Sequence, residues 1–363
     1  MNNVSNYLDW RGDLSIDTDG FNEIDNLVLS VIAYMDFSNA VPTEPGEGGI
    51  TLRDAVKRLC ELKMDHQDLG LMMPDLTNDF VKRASETRRF GDIRLYSYVD
   101  RIDEQLEMQF SAITFVLPDK SIFVAFRGTD DTLVGWKENF NMSFASPVPA
   151  QVAAAEYLTD IAYSMRGRIR LGGHSKGGNL AIWAAVNAPR RVQRRIIGAY
   201  NNDGPGFEEK ITERAEYRAV ADRLFTFVPE SSVVGMLLEH TEDYEVVKSS
   251  QTALFQHDPF SWKLLGTEFI KSPDRSSFSK HTDTALRGWI SSLSPEERQH
   301  STEVLFDVLE STGAKTLSDI TDGKLKSLGT ILKSLNTVDK KTKDNLFLLV
   351  RKMLELDKIS FWK

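Results

Sequence analysis

The sequence predicts an α/β fold built on a mostly parallel sheet with helices on both faces. Three observations carry this expectation. Segments rich in Ile, Val, Phe and Tyr begin at residue 93, helix-like and strand-like segments alternate over residues 152–228, and helix-period segments flank this region on both sides. The alternation argues for parallel strands, because each parallel step needs a crossover that lays a helix on the sheet.

Over residues 21–35, Ile24, Leu27, Val28, Val31 and Ile32 recur at helical spacing, with acidic residues at the start where the helix dipole favours them. Thr51 followed three residues later by Asp54 opens a second helix, running to Leu62, as a capping-box variant. Residues 76–84 give a third. Residues 93–101, 107–117 and 121–126 read as strands, the last two joined by the turn Pro118-Asp119-Lys120. A helix over 152–165, a strand over 168–171, a helix over 176–186 and strands over 195–200 and 223–228 follow. Beyond residue 291 helices alone are expected, over 295–311, 316–335 and 342–356, their Lys-rich polar faces reading as a solvated layer. The expected organisation is therefore a helical segment over 1–90 packed on or capping the core, an α/β core over 91–290, and a helical extension over 291–363.

Composition narrows the function. Hydrophobic residues make up 41% of the 363 and charged residues 27%, which excludes collagen-like or low-complexity polymers. Lys and Arg number 44 against 53 Asp and Glu, and the resulting charge of -9 repels phosphate backbones, so nucleic acid is not an expected partner. Cys60 is the single cysteine, which rules out an internal disulfide and a thiolate metal site. The first residues lack the basic start and apolar core of a secretion signal, and the apolar stretches are far shorter than the roughly 20 residues that span a bilayer. A cytoplasmic location without a transmembrane segment is expected. The sequence carries no metal-ligand cluster, P-loop or dinucleotide fingerprint, so no cofactor is expected.

The chemistry concentrates in Leu171-Gly172-Gly173-His174-Ser175-Lys176-Gly177-Gly178. Gly173 and Gly177 bracket Ser175 as G-x-S-x-G between an expected strand and an expected helix, the context of a nucleophile elbow. Small flanking residues are needed because strand and helix approach closely there, and the helix starting at Lys176 aims unpaired N–H groups at the spot where an oxyanion would form. A serine needs a base and an orienting carboxylate. His257, in the turn-rich Gln256-His257-Asp258-Pro259 loop, is the candidate base and His240 the reserve. Asp203, in the turn Asp203-Gly204-Pro205-Gly206 after the strand that follows the elbow helix, is the candidate acid, with Glu230 at the end of the next strand as the alternative. Upstream, the apolar strand ending in Arg127-Gly128-Thr129 can supply a second oxyanion donor from the Thr129 N–H, while Arg127 reads as a structural tie between loops.

The Phe126-Arg127-Gly128-Thr129 strand end, with Trp136 and Asn139 downstream, and the G-H-S-x-G-G-x-L-A elbow resemble the class 3 lipase group of α/β-hydrolases. The segment Tyr7-Leu8-Asp9-Trp10-Arg11-Gly12-Asp13, the Asp203 turn and the Gln256-His257-Asp258-Pro259 loop resemble more closely a bacterial family of lipase-like proteins of unassigned substrate. The resemblance spans roughly the first 290 residues. It implies the α/β-hydrolase fold, Ser175 as nucleophile, His257 as base, and the backbone N–H groups of Thr129 and Lys176 as oxyanion donors. Two departures stand out. Where class 3 lipases carry an apolar residue after the serine this chain has Lys176, whose amine is expected either to meet an anionic substrate group or to bend into solvent. The stretch Glu230-Ser231-Ser232-Val233 also lacks the Asp that those lipases place there.

The resulting expectation is a serine hydrolase that cleaves a small-molecule acyl ester or lipid-like substrate through an acyl-enzyme. A thioesterase, an amidase, an acyltransferase and a catalytically silent binding scaffold are the alternatives. The helical segments outside the sheet are expected to form a lid or wall over the site.

Overall fold

The computed structural model describes residues 2–44, 48–70, 73–238, 240, 243–276, 279, 293–320, 330–331, 333–336 and 338–344. Among these, eight strands form one sheet whose spatial order follows the chain: β1 (Ile50–Thr51), β2 (Arg94–Asp103), β3 (Met108–Val116), β4 (Ile122–Phe126), β5 (Ile169–His174), β6 (Ile196–Asn202), β7 (Leu224–Pro229) and β8 (Tyr244–Val247). Pairing is antiparallel from β1 to β4 and parallel from β4 to β8. A two-stranded hairpin, β9 (Leu264–Leu265) and β10 (Glu268–Phe269), stands beside the sheet.

Among the described residues, four helices precede β2: α1 (Val4–Arg11), α2 (Glu23–Ile32), α3 (Leu52–Glu61) and α4 (Leu76–Glu86). Between β4 and β6 lie α5 (Leu133–Asn141), α6 (Pro149–Ser164) and α7 (Lys176–Asn187). The Thr51 cap forms as its spacing suggests: its hydroxyl accepts from the Asp54 N–H at 3.1 Å and donates to the Asp54 carboxylate at 2.7 Å. Elements not expected from the sequence include α1, α5, β1, β8 and the β9–β10 hairpin. Much of the expected helices over 316–335 and 342–356 falls outside the described residues. The helix Pro295–Glu310 packs Phe306 edge-on against Phe140 of α5, with ring centroids 5.6 Å apart.

The sheet is covered on both faces, and β4 shows why. All five of its residues are buried, and the two-residue period sends Phe123 and Ala125 into one core and Ile122, Val124 and Phe126 into the other. The first core is completed by α1 to α4, the second by α6 and α7. An Asp25–Arg89 pair, both side chains 0% exposed, locks α1 and α2 into their layer: Arg89 donates to both carboxylate oxygens at 2.6 Å and to three backbone carbonyls, and Tyr7 donates to Asp25 at 3.0 Å. Burial raises the Asp25 carboxyl pKa, opposed by the guanidinium beside it. No helix among the described residues is long and apolar enough to cross a membrane.

Candidate active site

The parallel half of the sheet ends its strands at one edge, where the turns after β4, β5, β6 and β7 meet. The turn after β5 is the sharpest. Ser175, between β5 and α7, has φ 58° and ψ −134°, a conformation that costs a non-glycine residue about 1–3 kcal/mol and marks sites where geometry serves a purpose. It is held from both sides: the Ser175 N–H donates to the Asn202 carbonyl at 3.0 Å, and its carbonyl accepts from the Gly178 N–H at 2.9 Å. The glycines on either side are sterically required. A Cβ on Gly173 would lie 2.2 Å from the Gly177 carbonyl carbon, and one on Gly177 would lie 2.0 Å from the Phe126 carbonyl oxygen. Strand β4, strand β5 and helix α7 therefore touch backbone to backbone at this point.

Asp203 leaves the end of β6 with φ 55°, its N–H bound to the Phe227 carbonyl at 2.8 Å. Its carboxylate faces His257. The imidazole Nδ1–H donates to Asp203 Oδ2 at 2.7 Å, while Asp203 Oδ1 accepts from Ser232 Oγ at 2.5 Å. The side chains of His257 and Asp203 are 6% and 1% exposed. With the proton on Nδ1, Nε2 carries the free lone pair, and that atom is buried without a hydrogen-bond partner. Ser175 and Asp203 follow the paired residues His174 and Asn202 at the ends of neighbouring strands, which brings the Asp203-bound imidazole to the edge that holds Ser175, and Ser175 Oγ makes no hydrogen bond among the described residues. Glu230 points elsewhere, accepting from Ser272 Oγ at 2.8 Å.

The loop bearing His257 is fixed from several sides. Gln256 accepts from the Ser231 N–H at 2.7 Å, the Trp262 indole donates to the Gln256 carbonyl at 2.9 Å, and Asn3, ahead of α1, donates to the Phe260 carbonyl at 2.9 Å. Phe80 of α4 meets Phe260 edge-on at 5.1 Å. The N-terminal helices thus buttress the histidine loop and one sheet face.

His174, beside the serine, turns its ring under His257. Its Nε2–H donates to the His257 carbonyl at 2.8 Å, its Nδ1 accepts from the Tyr34 hydroxyl at 3.0 Å, and the two imidazole centroids lie 4.5 Å apart. Burial, reinforced by the charge His257 would carry, holds its pKa well below the usual imidazole value. His240 Nε2 donates to the Gly235 carbonyl, and His66 and His300 are exposed. His281 lies outside the described residues.

Thr129 is buried after β4, and its Oγ1 accepts from Asn139 Nδ2 at 2.6 Å. Arg127 grips Asp100 through two bonds of 2.9 and 2.8 Å and reaches Asp130 at 3.3 Å, so it ties strand β2 to the loop after β4 where a tie between loops was expected. The backbone N–H groups of Thr129 and Lys176 have no acceptor among the described residues. The Lys176 side chain corrects both sequence expectations: it meets neither solvent nor a substrate-facing surface. It is 1% exposed and donates to Glu138 Oε2 at 2.9 Å and to the Gln109 carbonyl at 2.6 Å. Glu138, on the unexpected helix α5, was not singled out in the sequence, where only its position between Trp136 and Asn139 hinted at it. No group of three or more His, Cys, Asp or Glu side chains among the described residues is arranged to hold a metal ion.

A family model described as Mbeg1-like matches residues 84–307, more than half of the chain. The chain belongs to the Mbeg1-like family. That family is described as lipase-like, and its span takes in β2 to β8, the elbow, the Asp203 turn and the His257 loop. The Mbeg1-like match begins inside α4, so α1 to α3 lie outside it. No curated protein matches the chain.

Proposed function

We propose that the protein is a serine hydrolase of α/β-hydrolase type that cleaves a carboxylic ester of an acyl or lipid-like substrate through an acyl-enzyme. The observation that carries this reading is the 2.7 Å bond from His257 to Asp203, which leaves an unpartnered Nε2 at the edge that also holds the strained Ser175. In this reading Ser175 Oγ attacks the ester carbonyl and His257 Nε2 takes its proton, while Asp203 holds the tautomer and stabilises the imidazolium. The oxyanion of the tetrahedral intermediate is met by the N–H groups of Thr129 and Lys176, the second reinforced by the N-terminal dipole of α7. Collapse expels the alcohol, protonated by His257, and water attacks the acyl-enzyme by the same route. Membership of a lipase-like family supports the hydrolytic class.

A panel of p-nitrophenyl esters of increasing acyl length, assayed with wild type and Ser175→Ala, tests the reading. Hydrolysis that Ser175→Ala abolishes supports it. Hydrolysis that survives the substitution refutes the assignment of the nucleophile.

A further inference from the structure

The Lys176–Glu138 pair sits where the β3–β4 ladder stops. Ala112 pairs with Phe126, and the Arg127 N–H still donates to the Ser111 carbonyl at 3.0 Å. Carrying that register onward would set Thr129 opposite Gln109. By the two-residue alternation of a strand, the N–H and C=O of Gln109 point to the same side as those of Ser111, toward the place β4 would occupy. In a continued antiparallel pair the Thr129 N–H would donate to the Gln109 carbonyl.

Two buried side chains occupy that place instead. Lys176 Nζ donates to the Gln109 carbonyl at 2.6 Å, and Glu138 Oε2 accepts from the Gln109 N–H at 3.1 Å. Glu138 is filled further by Lys176 Nζ at 2.9 Å and by the Ala150 N–H, which reaches Oε1 at 2.8 Å. The side chains are 1% and 0% exposed. A buried ion pair is weak evidence of net stabilisation, since desolvation offsets much of its attraction.

Resting on the reading of Ser175 as nucleophile, we propose that Lys176 and Glu138 are positioning residues for the oxyanion site. By taking the main-chain groups of Gln109, the pair keeps β4 from zipping past Phe126 and leaves the Thr129 N–H free. The same lysine carries the second donor on its own backbone, so one contact fixes both donors relative to each other. Pre-set donors of this kind act on the transition state rather than on initial binding.

The test is the saturation kinetics of a fluorophosphonate probe on wild type, on Glu138→Gln, and on the double variant Glu138→Gln with Lys176→Met, which removes both charges together. With the folded fraction checked by thermal melting, the maximal inactivation rate is expected to fall about 10- to 100-fold in the double variant and less in the single one, with the half-saturating concentration unchanged. If wild type is labelled at Ser175 and folded variants react at its rate, the proposal is overturned while the nucleophile stands. Loss of folding in both variants would also overturn it, assigning the pair to stability alone. A wild type left unmodified at Ser175 would sink the nucleophile and the proposal together.

Discussion

His257 Nδ1 and Asp203 Oδ2 are 2.7 Å apart, although 54 positions separate the two residues in the chain. This bond sets which imidazole nitrogen carries the proton. Replacing Asp203 by Asn keeps the shape but puts a donor against Nδ1, which moves the proton to Nε2 and, in the proposed mechanism, takes away the base. Asp203→Asn should lower kcat on the best ester about a thousand- to ten-thousand-fold. Glu230→Gln, which disturbs a bond to Ser272 instead, should change kcat less than about threefold by the usual size of peripheral effects. Steady-state kinetics of the two variants checks the assignment, and a larger effect from Glu230→Gln would reverse it.

The depressed pKa of His174 predicts a pH dependence of stability. The ring stays neutral in the folded protein, whereas in the unfolded chain it takes a proton below about pH 6.5. The unfolded state then binds more protons, so the stability this group leaves intact above about pH 6.5 is lost as pH falls, at up to about 1.4 kcal/mol per pH unit. Urea unfolding between pH 7.5 and 5.5, above the carboxylate range, should show this slope in wild type and a shallower one in His174→Gln. Equal slopes would remove His174 as the cause.

The elbow should tolerate no added carbon. Gly177→Ala places a methyl 2.0 Å from the Phe126 carbonyl oxygen, backbone that cannot swing aside, and should cost about 1–3 kcal/mol or more, together with activity. Gly20→Ala, which meets nothing within 4 Å, should stay within about 0.5 kcal/mol of wild type. Chemical denaturation of both variants supplies the comparison.

Breaking the fully buried Asp25–Arg89 pair from one side leaves a bare charge in the core. Arg89→Met should destabilise the protein by about 3–5 kcal/mol, and adding Asp25→Asn should recover part of that loss. Denaturation midpoints for the single and double variants measure the recovery. A double variant no better than the single one would show that the carbonyl contacts of Arg89, rather than the charge, dominate.

The elbow was legible in the sequence because its constraints are local: two glycines, a serine, and a change from strand to helix period within a few residues. The Thr51 cap and the buried run of β4 were legible for the same reason. β1 and β8 were not, being edge elements of two and four residues whose existence depends on a neighbouring strand. Helix α1 spans eight residues and buries Val4, Tyr7 and Leu8 alone, and α5 carries Gly135 in its interior, so neither shows a sustained period. The sequence left Asp203 and Glu230 both open as partner of His257, since which carboxylate meets the ring depends on how β6 and β7 end. The burial of Lys176 was misread because its partner Glu138 lies 38 positions away on a helix that periodicity did not reveal.

The most direct measurement is peptide mapping by mass spectrometry after treatment of the whole protein with a fluorophosphonate. One covalent adduct is expected, on the peptide carrying Ser175, formed more slowly in Asp203→Asn and absent in Ser175→Ala. An unmodified Ser175 in folded wild type, or an adduct on another serine, would contradict it.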